Sequence, residues 1–171
     1  MHPDNMQPEL QASAFGIAKN INTISMEKGR CPTLRVQHRG TKLLVAAKNS
    51  EIREFMASKG VTGINPDTTT SFFKSLSREV IDNYLADGFQ LFSCTVPAGD
   101  ACLLPFDWLF AEQITKDCDV FGAKMCFWLR SDLDEIEKTS KWLVSTKRPN
   151  SLLTSAYEVM LAAEAATADE L

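Results

Sequence analysis

Apolar residues recur along this chain at spacings that change several times, and each change marks a new element. Leu10, Ala14, Ile17, Ile21 and Ile24 fall on one helical stripe, so 8–28 reads as an amphipathic helix, ended by Gly29 and Pro32. Two short runs, 33–38 and 42–47, read as strands joined through Arg39, Gly40 and Thr41. A helix is expected over 50–59. Glu51 and Glu54 sit early in it, Ile52, Phe55 and Met56 share a face, and Gly60 stops it. Beyond the loop marked by Gly63 and Pro66, short helices are expected over 70–76 and 77–86. Phe72, Phe73 and Leu76 are their core residues, and Gly88 closes the second.

Strand patterning dominates 89–129. A run over 89–96 enters the turn Pro97-Ala98-Gly99-Asp100, whose residues suit a tight reversal. Strands over 101–104 and 108–114 follow, separated by Pro105, and 120–129 is apolar and aromatic. Ser131 with Asp134 reads as a capping box opening a helix to 144. Asp132, Asp134, Glu135 and Glu137 decorate its first turns, where they complement the helix dipole. Pro149 precedes a last helix over 151–166 with Leu153, Tyr157, Met160 and Leu161 on its face.

The expected fold class is α+β: a partial, half-barrel antiparallel sheet of about six strands flanked by N- and C-terminal helices. One domain covers 1–171, with a helical segment over 1–30, a strand core over 33–129 with inserted helices over 50–87, and C-terminal helices over 131–166. The helices at the two ends are expected to pack on the incomplete sheet, with a homodimer that completes it as the alternative to a monomer. No glycine-rich loop joins a strand to a helix, so the nucleotide-binding fingerprints are absent.

Composition narrows the function classes. At 171 residues, 44% hydrophobic and 23% charged, the chain can bury a core of its own. A net charge of −4 with scattered basic residues argues against a nucleic-acid partner, whose phosphates need clustered Lys and Arg. Five cysteines without a C-x-x-C pair, and only His2 and His38 beside them, give no zinc pattern and read as free thiols of a reducing compartment. Cys94 and Cys102, in strands flanking one turn, are candidate neighbours. No Ser-His-Asp or Cys-His nucleophile set can be assembled. With neither a signal peptide nor an apolar span in the sequence, a cytoplasmic or nuclear protein without a membrane partner is expected.

Three segments resemble a JmjC-type or cupin-like barrel, in the family's order. The first is Val36-Gln37-His38-Arg39-Gly40-Thr41-Lys42-Leu43-Leu44-Val45, similar to the family's strand, Gly-x-Lys turn and following strand. The second and most specific runs from Val96-Pro97-Ala98-Gly99-Asp100 through Leu104-Pro105-Phe106-Asp107-Trp108. The third is the returning strand over 120–128. In active members a His-x-Asp or His-x-Glu pair and a later His hold Fe(II). The resemblance places those ligands at Glu27, Gly29 and Phe110, so metal and iron chemistry are expected to be lost and no cofactor is expected. It also makes Lys42 the counterpart of a lysine that pairs with the oxoglutarate carboxylate. The plainer reading of Lys42, a solvent-facing lysine at the start of a strand, weighs more. Asp107 and Trp108 are further candidates for a pocket mouth, against the ordinary alternative of rim packing, which also covers Trp128 and Trp142.

The resulting expectation is a non-catalytic binding or interaction module, its partner a protein or a small carboxylate. The alternatives are an oxoglutarate-dependent oxygenase with unconventional ligands and a structural subunit of a larger assembly.

Overall fold

The computed structural model describes residues 10–15, 22–25, 30–114 and 120–168. Among these residues eight strands and five α-helices follow one another in an α+β arrangement. They are β1 (Leu10–Phe15), β2 (Asn22–Ser25), β3 (Thr33–Arg39), β4 (Lys42–Lys48), α1 (Asn49–Ser58), α2 (Pro66–Lys74) and α3 (Arg78–Ala86). After these come β5 (Phe92–Val96), β6 (Ala101–Leu104), β7 (Trp108–Ile114), β8 (Val120–Cys126), α4 (Leu133–Ser145) and α5 (Ser151–Ala168).

The strands form two four-stranded antiparallel sheets, one in the order β1-β8-β3-β6 and the other β2-β7-β4-β5. Successive strands alternate between the sheets, except that β4 and β5 pair within one of them, which is the winding of a double-sheet jelly roll. The expected N-terminal helix over 8–28 is therefore wrong within the described residues: β1 and β2 stand there instead. Leu10, Ala12 and Ala14 alternate with Gln11 and Ser13, a period of two, and 22–25 carries the β-favouring pair Thr23 and Ile24. The helical stripe shared some of the same residues, and backbone pairing with β8 and β7 decided between the two patterns. Among the described residues the strand count rises from about six to eight, and the fold class is α+β as expected. The proposed packing of an N-terminal helix on an incomplete sheet falls with that helix.

Other elements follow local rules. Helix α2 begins earlier than its apolar pattern indicated, because Asn65 accepts hydrogen bonds from the amides of Asp67 and Thr68, Thr68 returns the bond, and Pro66 opens the first turn. The capping box expected from Ser131 and Asp134 does not form. A 3-10 turn over Arg130–Asp132 leads straight into α4, whose first turn carries Asp134 and Glu135. Between β5 and β6, Gly99 takes a φ of 94°, which only glycine adopts without strain, and so permits the tight reversal read from the sequence.

The central strands of the second sheet, β4 and β7, are covered on both faces. Val45 and Ala47 of β4 and Leu109 and Ala111 of β7 turn outward under α1–α3, against Ile52, Phe55, Met56, Phe73 and Phe89. Phe55 lies within 4.9–6.1 Å of the rings of Phe72, Tyr84 and Phe89. Each such side chain contributes about 1.5–3 kcal/mol by burial. A separate cluster of Phe106, Ile136, Leu143 and Leu153 seats α4 and α5 against the β6–β7 turn. Among the described residues no helix is long and apolar enough to cross a membrane.

Candidate functional site

Strand parity decides which side chains enter the space between the sheets. Leu44 and Ala46 of β4, Phe110 of β7 and Leu104 of β6 meet there, with Trp108 and Cys102 beside them. On β4 and β7 the same parity brings in Lys42 and Glu112, and on β3 it brings in Arg35, which stands opposite Cys102 and Lys124. Arg35 and Glu112 form an ion pair that bridges the two sheets. Lys42 Nζ reaches the same Glu112 oxygen at 3.6 Å, and both side chains are only 15% exposed. The plainer reading of Lys42 as a solvent-facing residue is thereby corrected. Its strand parity points it between the sheets, where a lysine requires a carboxylate near it. Glu112 is that carboxylate.

The Arg35 guanidinium also lies over the Phe110 ring, 4.3 Å from its centroid. Phe110, at the position where the resemblance places the later histidine, is buried and offers no donor to a metal. Glu27 and Gly29 lie outside the described residues. His38 is exposed on β3 with its ring 5.6 Å from Phe121, on the face turned away from Arg35. Among the described residues no group of three His, Cys, Asp or Glu side chains could share a metal ion.

Asp107 lies elsewhere. It occupies the β6–β7 turn, where it is 2% exposed and ion-paired with Arg30, itself 6% exposed. Asn49 Nδ2 donates to its other carboxylate oxygen at 3.2 Å. Two backbone bonds of 2.9 Å complete the knot: Asp107 N–H to the Arg30 carbonyl and Asn49 N–H to the Asp107 carbonyl. Arg30 and Asp107 both adopt left-handed backbone, with φ of 63° and 59°, an arrangement that persists only where its surroundings impose it. Burial pushes the Asp107 carboxyl upward, while Arg30, Asn49 and Arg53 draw it back. The Trp142 ring stands 5.3 Å from the Arg30 guanidinium and 4.3 Å from that of Arg53. Burial disfavours the charge of Arg53, and Asp107 opposes that effect first.

Trp108 opens β7 and packs against Phe92 at 5.1 Å. Trp128 and Trp142 belong to the α4–α5 cluster, so the three tryptophans do not form one aromatic site. Nor do Lys42, Asp107 and Trp108 converge. Lys42 pairs with Ile114 and Trp108 with Lys48 at the two ends of one ladder, about 20 Å apart at the rise of a strand. Two centres result: the Arg35–Glu112–Lys42 bridge between the sheets, and the Asp107 knot at the β6–β7 turn. Sequence reasoning missed Arg35 and Glu112. Their signal was present as parity, because Glu112 alternates in phase with Phe110, and Arg35 with Thr33 and Gln37. Comparison with family models finds none that matches this chain, and comparison with curated proteins finds no match.

Proposed function

We propose that the chain is a non-catalytic, cupin-like binding or interaction module. One observation carries this reading: Arg35 and Lys42 meet on Glu112 between the two sheets. Where the resemblance puts a ligand carboxylate against Lys42, the chain supplies its own. The jelly-roll strand order and the Phe110 side chain at a metal-ligand position support the same reading. An entering dicarboxylate has to compete with Glu112, which is already held by a charge-assisted bond from Arg35 and by the nearby charge of Lys42.

The interaction half of the reading is supported by the outward face of the first sheet. Leu103 on β6 and Phe121 on β8 are 53% and 43% exposed there, and Leu34 stands in register with Leu103 and Met125. Leu103, Leu34 and Met125 form a row across three strands, and Phe121 lies four residues along β8 from it. Exposed apolar side chains on one sheet face suit contact with another protein.

The test is metal analysis with an oxoglutarate turnover assay, followed by calorimetric titration of native chain and E112Q. The expected result is no stoichiometric iron, manganese or zinc and no turnover. E112Q should bind oxoglutarate at least about tenfold more tightly than native chain, the scale of one charge-assisted bond, and Lys42→Ala added to it should remove the gain. About one equivalent of metal that disappears when Glu27 or His38 is changed, or measurable turnover, overturns the proposal.

A further inference from the structure

We infer that Cys94 and Cys102 form an oxidisable pair, which closes to a disulfide tying together the edge strands of the two sheets. Their Sγ atoms lie 4.0 Å apart. Cys94 belongs to β5 and Cys102 to β6, each the last strand of its own sheet, and the two are joined only by the exposed turn over 97–100. A disulfide needs its sulfurs at about 2.05 Å. The remaining approach is within reach of rotation of the two cysteine side chains. The exposed turn itself is held to β3 by the Gly99 N–H bond to the Gln37 carbonyl and the Gln37 N–H bond to the Asp100 carbonyl.

The two thiols are placed for different roles. Cys94 is exposed, so a small disulfide can reach it, whereas Cys102 is partly shielded. Burial and then the adjacent Cys94 push the Cys102 thiol up to about 11, with Arg35 opposing. Cys94 therefore reacts first and Cys102 resolves. With glutathione disulfide as oxidant, the Cys94 thiolate attacks one sulfur and expels a glutathione thiolate, leaving a mixed disulfide. Cys102 gives up its proton and attacks Cys94 Sγ, and the second glutathione thiolate departs. The protein loses two electrons and two protons, and the oxidant is reduced to two glutathione thiols.

The bond would form beside the charged bridge. Cys94 stands opposite Leu44 on β4, and Cys102 opposite Arg35 on β3. Oxidation thus staples the sheets next to the residues that hold Glu112, and reduction releases them.

The experiment equilibrates the full chain in glutathione buffers of graded poise, traps thiols by alkylation, and maps linked peptides by mass spectrometry. The expected result is a Cys94–Cys102 link that increases with oxidised glutathione and reverses on reduction. C102S should stop at a glutathione mixed disulfide on Cys94, and C94S should form no internal link; circular dichroism checks that both fold. The inference is overturned if native chain keeps both thiols alkylatable under full oxidation or stops at the mixed disulfide. It is equally overturned if either cysteine links as readily to Cys31, Cys118 or Cys126.

Discussion

Asp107 accepts bonds from Arg30 and Asn49, and its own backbone is tied to both. Replacing it by asparagine keeps the shape and leaves the backbone no more strained, since asparagine tolerates positive φ better than most residues. What changes is the charge opposite Arg30, a guanidinium then left buried without its carboxylate. The D107N chain should lose about 3–5 kcal/mol, the range for breaking a buried pair from one side. Urea unfolding measures it, and a loss below about 1 kcal/mol would mean that Arg30 is satisfied elsewhere. In the sequence Asp107 was conspicuous only for standing beside Trp108. Its partner could not be found, because Arg30 lies 77 positions away and nothing in a single sequence reports a contact at that range.

At the scale of elements, β8 shows how pairing sets demands that no local pattern announces. A Cβ placed on Gly122 would meet the Val36 carbonyl oxygen at 2.6 Å. The ladder between β3 and β8 shifts register between Gln37 and Arg39, just where Gly122 pairs, and glycine permits that close backbone approach. Gly122→Ala should therefore destabilise the chain by about 1–3 kcal/mol, as overpacking does. A thermal melt records the loss, and an unchanged midpoint would show that the bulge relaxes freely. Gly99, by contrast, could be recognised from its turn neighbours alone. The helices divide in the same way. Helix α1 came from its stripe and its stop, while the start of α2 depended on Asn65, Pro66 and Thr68, a cap outside the apolar pattern.

For the whole molecule, the first residues matter because they complete both sheets. β1 pairs with β8, and β2 with β7. Deleting 1–28 leaves β8 and β7 as raw edges with unpaired backbone groups. The truncated chain should aggregate or fail to fold, as read by sedimentation and circular dichroism; a soluble, folded monomer would contradict this architecture. The sequence by itself determined the α+β class, the turn over 97–100, the helices after 49 and the strands over 33–38 and 42–47. Each of these depends on residues close together in the chain, where periodicity and turn chemistry act. Tertiary structure alone decided that 10–15 and 22–25 are strands, that Glu112 answers Arg35 and Lys42, and that Asp107 closes on Arg30. Those outcomes depend on hydrogen bonds and charges that residues far apart in the sequence satisfy for one another once the two sheets face each other.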